Sequence, residues 1–478
     1  MIDLRPYIST TNGKAFAVLG LGRSGLTAAC ALAQSGADVW AWDDNADGRA
    51  KAAEAGLKVV DLGNCDWTAV QSLVMSPGIP LTHPVPHPVA LAAQATGVEV
   101  ICEVELLYRA CPDATFVGIT GTNGKSTTTS LIAHILAQAG RPVAVGGNLG
   151  TPALELPMLE SDGVYVLEMS SYQLDLLSQL RFDIALLLNF SPDHLDRHGD
   201  MAGYIKAKLH IFDRQEKDDA AIIGMDDPDS RQVFDQINSL GNCKAIPISG
   251  NTRLAEGVFA AQGQLIDDRF ASEEQILDLQ SVERLPGDHN HQNAAAAFAC
   301  CRRLNLTNDA IVAGMKSFPG LAHRQQLVAQ QGNIRYINDS KATNADAAAR
   351  AISSYENIYW IAGGRAKDGG ISSLKPLFSR IRKAYLIGEC AEDFARQIGK
   401  DLPYTQCQTL DRAIAQAAKD AQHDNCDNAV VLLSPACASW DQYRSFEVRG
   451  DHFRECVQKL TQSNNLEQPS TASGREAS

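Results

Sequence analysis

Short apolar runs alternate with stretches whose apolar residues recur every three or four positions, and this alternation appears in three successive segments. Buried parallel strands joined by amphipathic helices leave that pattern, so an α/β fold is expected throughout. The first segment predicts strands over 15–20, 38–42, 57–60 and 72–75, with helices over 26–34 and 88–95. The second predicts strands over 115–120, 142–145, 164–168, 184–189 and 220–224, and a helix over 125–138 closed by Gly140. Another helix, over 293–304, has an Ala-rich face with no charge before Arg302 and is expected to be buried. The third segment predicts strands over 334–338, 358–362, 384–387 and 429–433, separated by helices such as 410–421. Boundaries are expected near residues 103 and 320, giving three domains over 1–103, 104–320 and 321–461. Residues 462–478, rich in Ser, Asn, Gln and Gly, are expected to form a disordered tail.

Composition narrows the function classes without choosing one. At 478 residues the chain is too long for a single core. A net charge of −14 argues against a nucleic-acid binder, which needs clustered Lys and Arg, and against a polybasic membrane attachment. It leaves room for an anionic small molecule held by local N–H groups and a few cations. Residues 1–14 lack a basic stretch followed by an apolar one, and no apolar run approaches the ~20 residues that span a bilayer. The twelve Cys are scattered, apart from Cys300-Cys301, with no Cys-x-x-Cys pair, which points to reduced cysteine in a cytoplasmic protein.

Chemistry is concentrated at strand ends. Gly121-Thr122-Asn123-Gly124-Lys125-Ser126 joins a strand to a helix: the glycines permit a tight loop, helix N–H groups and the Lys ammonium can surround a polyphosphate, and the Ser hydroxyl can reach Mg²⁺. Ile119 stands where the strict form of this motif has its first glycine. Gly20-Leu21-Gly22-Arg23-Ser24-Gly25, with Asp43 ending the next strand, has the form of a dinucleotide fingerprint. Its physics is phosphate cradling, which also suits another nucleotide diphosphate. Glu168 ends one strand, and Asp193-His194-Leu195-Asp196 follows another, where parallel strands bring side chains into one crevice. Both are candidates for holding Mg²⁺. Lys208, on a helical segment, reads on its own as a solvated lysine, and Cys437 as a packing residue. The polar run 338–344, Gly363-Gly364 with Lys367, and 434–439 occupy similar strand ends in the third segment.

From about residue 16 to 453 these features resemble the Mur ligase family. Thr120 to Ser126 marks the superfamily, which includes folylpolyglutamate synthases. The N-terminal glycine loop, Ser76-Pro77-Gly78, Gly146-Gly147-Asn148, 338–344, 434–439 and Phe446-Glu447-Val448-Arg449-Gly450 look specific to its D-glutamate-adding member. The resemblance implies a Rossmann-like N-terminal domain for a UDP-sugar, a central P-loop ATPase-like domain, and a C-terminal Rossmann-like domain for the amino acid. It implies a ligase of peptidoglycan precursor synthesis that joins D-glutamate to UDP-N-acetylmuramoyl-L-alanine through an acyl phosphate, using ATP and two Mg²⁺. A cytoplasmic monomer acting in cell-wall biogenesis, cell shape and cell division is expected.

Residue by residue, the resemblance implies that Gly121, Thr122, Asn123, Gly124, Lys125, Ser126 and Thr127 cradle ATP, with Asn293, Arg324, Asp339 and Lys341 also at the nucleotide. Ser126, Glu168, His194 and a carbamylated Lys208 would hold the metal; Lys125, Lys208, His194 and Glu168 would be catalytic. Ser24, Ser76, Gly78, Asn148 and Gln173 would line the UDP-sugar path, and Thr343, Lys367, Ser439 and Phe446 would receive D-glutamate. Asp43-Asp44-Asn45 lacks an Arg that some relatives place there for the uracil. Two alternatives remain at this level: an NAD-dependent dehydrogenase, which leaves the phosphate loop unexplained, and a non-enzymatic nucleotide switch, which leaves the third segment's polar strand ends without a role.

Overall fold

The computed structural model describes residues 1–269, 273–282, 284–366 and 370–466. The chain divides into two compact units, Met1–Phe318 and the residues from Pro319 onward.

The first unit contains two sheets. Strands β1 (Ala15–Leu19), β2 (Val39–Trp42), β3 (Lys58–Val59), β4 (Val70–Met75) and β5 (Glu99–Ile101) pair in parallel in the order β3-β2-β1-β4-β5. Every residue of β1 is buried, as its unbroken apolar run requires of a central parallel strand. The second sheet is built from β6 (Thr115–Thr120), β7 (Val143–Gly147), β8 (Val164–Glu168), β9 (Ile184–Leu187), β10 (Ala220–Gly224), β11 (Lys244–Ser249), β12 (Val258–Ala261), β13 (Gln264–Asp267) and β14 (Glu274–Asp278). Their order is β14-β13-β12-β11-β10-β9-β6-β8-β7. The run from β7 to β12 is parallel, and β13 and β14 add an antiparallel edge. Strand order reverses around β6, whose neighbours β8 and β9 come from opposite directions of the winding. Ligand crevices of open α/β sheets lie at such reversals.

One apolar cluster extends from Phe16 and Leu73 of the first sheet, through Leu106 and Leu107, to Phe116, Tyr165 and Leu187 on one face of the second. The other face, including Val117, Ile119 and Leu186, packs under helix Asp288–Arg303. That helix is buried as expected: Ala294 through Cys301 have no exposed surface. Within the second sheet, Gly118 is required by a close approach, since a Cβ there would lie 2.7 Å from the Phe182 ring.

The second unit has one sheet of β15 (Gln326–Gln331), β16 (Ile334–Asn338), β17 (Ile358–Gly363), β18 (Ile381–Ile387), β19 (Tyr404–Gln408) and β20 (Ala429–Leu433). The order is β15-β16-β20-β17-β18-β19, parallel except for β15. Separate apolar clusters cover its two faces, one around Trp360 and Phe394, the other around Tyr359 and Ile414. The last helix runs from Phe446 to Leu466. The remainder of the segment expected to form a tail, 467–478, lies outside the described residues. No described helix is long and apolar enough to cross a membrane.

Helix Glu103–Ala110 starts at the first expected boundary and ties down the chain around it. The Glu105 carboxylate has no exposed surface and accepts from the backbone N–H groups of Ser178, Gln179 and Leu180 at 3.0, 2.7 and 3.2 Å. Arg109, one turn on, reaches Glu105 at 3.3 Å and Glu99 at 2.6 Å. Removing one partner of a buried pair leaves the other charge uncompensated. Arg109→Ala is therefore expected to lower the unfolding free energy by about 3–5 kcal/mol, read as a shift of the denaturant midpoint.

Candidate active site

The phosphate loop leaves β6 at the strand-order reversal and enters helix Lys125–Gln138. Gly121 and Gly124 have φ of 141° and 85°, conformations that side-chain-bearing residues avoid. A Cβ on Gly124 would also stand 2.3 Å from Asn293 Oδ1. Asn293, reaching across from the Ala-rich helix, accepts from the Thr128 hydroxyl at 3.1 Å. Thr122 is pinned to the segment after β9: its N–H donates to Asn189 O at 2.9 Å, and its Oγ1 accepts from Ser191 N at 3.0 Å. Lys125 folds back over the loop, its Nζ donating to the carbonyls of Gly121 and Thr122 at 2.8 and 2.9 Å. Ser126 and Thr127 lie in the first helical turn, largely buried. The loop residues expected from the sequence are thus together, in a helix-N-terminal cradle suited to anionic oxygens.

Glu168 closes β8 beside this loop and is 3% exposed. Asn148 donates to its Oε1 at 2.7 Å, while its buried Oε2 has no hydrogen-bond partner. Asn148, expected along the substrate path, thus orients the carboxylate. Gly147 lets the two strands meet there, since a Cβ would lie 2.5 Å from Glu168 O. Lys208, on helix Met201–Leu209, is 2% exposed, not solvated as the sequence alone suggested. Its Nζ donates to Gly121 O at 3.1 Å and Thr120 Oγ1 at 3.4 Å, and lies 4.6 Å from the centre of the Tyr204 ring. Burial, then the nearby Lys125, pushes its ammonium well below the usual lysine value, against the pull of Asp193 and Glu168. His194 caps helix Leu195–His198 in a left-handed conformation, φ 53°, with Asp193 3.5 Å away. Burial lowers its pKa. Among the described residues, no three His, Cys, Asp or Glu side chains form a group that could hold a metal by themselves.

Tyr172 joins this centre to the first sheet. Its ring stacks on His198, lies 5.1 Å from His194, and supports the Arg197 guanidinium at 4.5 Å. Arg197 donates to Gly78 O at 2.9 Å, so the 76–78 turn after β4 adjoins the second-sheet site. Ser76 lies against Gly20, where a Cβ would approach Ser76 Cβ to 2.8 Å. Ser24 lies in the first turn of helix Arg23–Gln34, which follows β1, and is partly exposed. Asp43, the acid of the dinucleotide-like pattern, accepts from Leu21 N at 2.6 Å and Asn45 N at 2.8 Å, closing its own loop. Arg49, which sequence reasoning passed over, stacks on Trp42 and donates to Asp43 O. Gln173 is nearly buried: its side chain completes a capping box with Ser170 and contacts Glu103 at 3.4 Å.

In the second unit, Asp339 follows β16 and accepts from the Ser434 hydroxyl at 2.8 Å and Gln325 N at 3.2 Å. Burial raises its pKa to about 7. Arg449, 1% exposed, fixes the surrounding strand ends by donating to Ser340 Oγ, Ser340 O and Cys437 O at 3.0, 2.9 and 3.1 Å. Lys341 stands 5.8 Å from the Phe446 ring, and the Ser340 hydroxyl donates to Phe446 O. Arg324 and Thr343 are partly exposed nearby in sequence, and Ser439 is buried after β20. Lys367 lies outside the described residues. Cys437 packs as expected, with Cys390 as its neighbour, Sγ to Sγ 3.3 Å.

The family model for the Mur ligase middle domain matches residues 119–301, and that for the Mur ligase glutamate ligase domain matches 323–437. The UDP-N-acetylmuramoylalanine–D-glutamate ligase of Paramagnetospirillum magneticum is 50% identical over 450 residues, covering 94% of this chain and 97% of its own. That of Rhodospirillum rubrum is also 50% identical, covering 96% of this chain and 97% of its own. A crystal structure of the MurF ligase from Thermotoga maritima in complex with ADP shares the fold, with a TM-score of 0.57 at 16% identity over 97% of this chain and 100% of that one. With half of its residues identical to such relatives over nearly its full length, the chain belongs to the Mur ligase family, in its UDP-N-acetylmuramoylalanine–D-glutamate ligase branch.

Proposed function

We infer that the chain is an ATP-dependent ligase that joins D-glutamate to UDP-N-acetylmuramoyl-L-alanine in peptidoglycan precursor synthesis. The observation that carries the chemistry is the meeting, at the β6 reversal, of a phosphate loop, a carboxylate with a buried unpartnered oxygen, and a buried lysine amine. A carboxylate is a poor electrophile toward an amine at neutral pH, so it must first be activated. The L-alanyl carboxylate attacks the γ-phosphorus of ATP in line, giving an acyl phosphate and ADP. The D-glutamate amine then attacks the acyl carbon, and phosphate leaves. Lys125 neutralises charge on the transferring oxygens, and the loop N–H groups keep the phosphates in line.

The donor set fits Mg²⁺, a hard cation that takes one or two protein carboxylates and completes its shell with water and phosphate oxygens. Ser126, Glu168, His194 and a carbamylated Lys208 would hold two such ions, which supply charge neutralisation at the transferred group. Carbamylation would turn the buried amine into an anionic oxygen ligand. Asn148 holds Glu168 in place, and Ser24, Ser76, Gly78 and Gln173 shape the UDP-sugar path. Asn293, Arg324, Asp339 and Lys341 serve the nucleotide; Thr343, Lys367, Ser439 and Phe446 receive D-glutamate. This division assigns the UDP-sugar to 1–103, ATP to 104–320 and the amino acid to 321–461, in a cytoplasmic monomer.

Phosphate release is expected only when ATP, UDP-N-acetylmuramoyl-L-alanine and D-glutamate are all present. Release that continues without D-glutamate would sink the ligase assignment. Lys208→Ala is expected to lower turnover by about 100-fold or more, as loss of a group that organises transition-state charge does, with partial recovery on adding a short-chain carboxylic acid. Turnover equal to that of the parent would return Lys208 to a packing role.

A further inference from the structure

Gln292 has no part in the reaction as described, yet its carboxamide stands in the middle of a hydrogen-bonded chain that ends on the phosphate loop. At the loop, Asn123 N donates to Asn189 Oδ1 at 2.9 Å, and Asn189 Nδ2 donates back to Asn123 O at 3.2 Å. The same Nδ2 donates to Gln292 Oε1 at 3.1 Å. Gln292 Nε2 in turn donates to Asp226 Oδ2 at 2.8 Å. Asp226, just beyond β10, also accepts from Gly250 N at 2.8 Å and from the Ser249 hydroxyl.

The far end of this chain fixes its direction. An ionised carboxylate only accepts, so Asp226 must face the NH₂ of Gln292 and not its carbonyl oxygen. Gln292 Oε1 is then left toward Asn189, which must meet it with an NH₂. Asn189 Oδ1 is thereby turned to the Asn123 backbone N–H, while the Asn123 side-chain Nδ2 donates elsewhere, to Ser191 Oγ at 3.2 Å. Reversing either carboxamide would set donor against donor or acceptor against acceptor. The surrounding backbone leaves room for this glutamine and little else: a Cβ on Gly224 would lie 2.9 Å from its Nε2, and one on Gly250 3.0 Å from its Cβ. Gln292 itself is 5% exposed, so water cannot easily replace its hydrogen bonds.

We propose that Gln292 is a positioning residue for ATP: acting through Asn189, it holds the phosphate loop at Asn123, with Asp226 setting the sense of the relay. The proposal rests on the reading that this loop binds the phosphates of ATP. A loop already held in its binding shape loses less freedom when the nucleotide arrives, so the effect belongs in the ATP affinity.

The test is steady-state kinetics of the full-length protein carrying Gln292→Leu, which keeps the bulk and removes the polar atoms. The KM for ATP is expected to rise about tenfold, the scale of losing one or two buried hydrogen bonds, while the KM values for D-glutamate and UDP-N-acetylmuramoyl-L-alanine stay within about twofold. Asp226→Asn, which keeps the shape but no longer dictates the amide direction, is expected to raise the KM for ATP in the same sense. Asn189→Ala with and without Gln292→Leu should give the same KM for ATP, because Gln292 acts through Asn189. An unchanged KM for ATP in both Gln292→Leu and Asp226→Asn would overturn the relay, as would an equal rise for all three substrates or independent, multiplying effects in the double variant. Lys125→Ala separates the two claims: if it abolishes turnover while Gln292→Leu has no effect, the relay alone fails. If Lys125→Ala turns over ATP normally, the reading of the loop fails and the relay with it.

Discussion

The first unit's site depends on the reversal of strand order at β6. A strand whose neighbours lead away in opposite directions leaves an open crevice at its C-terminal end, because neither connection covers it. β6 delivers the glycine loop into that crevice, β8 delivers Glu168, and the chain leaving β9 delivers Asn189, Ser191 and His194. Groups leaving these strand ends come within hydrogen-bonding reach of one another because adjacent parallel strands lie about 5 Å apart. Charge then accumulates in a partly dry space, where Lys125, Lys208, Asp193 and Glu168 feel one another strongly. The low proton affinity of the Lys208 amine follows from that confinement.

The two units use a buried guanidinium to hold irregular chain, but balance it differently. Arg109 faces the carboxylates of Glu99 and Glu105. Arg449 is answered by neutral oxygens, the Ser340 hydroxyl and the carbonyls of Ser340, Cys437 and Ala438, and burial pushes its pKa down to about 10. A planar group with five donors can satisfy several backbone carbonyls at once, which a lysine cannot do in one geometry. That explains why an arginine stands where the segments leaving β16 and β20 of the second unit must be held together.

The central strands were legible because an unbroken apolar run buried on both faces has few alternatives; β1, β6, β10 and β20 appear where their runs predict them. β12 and β13 escaped notice because four-residue runs are too short to stand out, and β14 because an edge strand with exposed polar residues carries no such signal. The phosphate loop was legible from its glycines and Lys-Ser pair between a strand and a helix, although Ile119 departs from the strict motif. Lys208 was not, since a lysine on a helix looks the same whether its amine meets water or the Gly121 carbonyl, and only family resemblance singled it out. Gln292 gave no signal either: its partners Asn189 and Asp226 are brought to it by the sheet, 103 and 66 positions away in the chain. Arg49 and Arg197 were missed for the same reason, being ordinary helix arginines until their targets are known.

The contact between Gly124 and Asn293 also bears on how the protein is made. Thr128 and Asn293 lie 165 positions apart, and the loop takes its shape against a helix near the end of the first unit. A chain emerging from the ribosome therefore carries the full loop motif long before it carries the wall on which the loop closes. Until residue 293 has cleared the exit tunnel, the nascent protein has no finished loop, so a ligand that needs the closed loop cannot stabilise early folding intermediates.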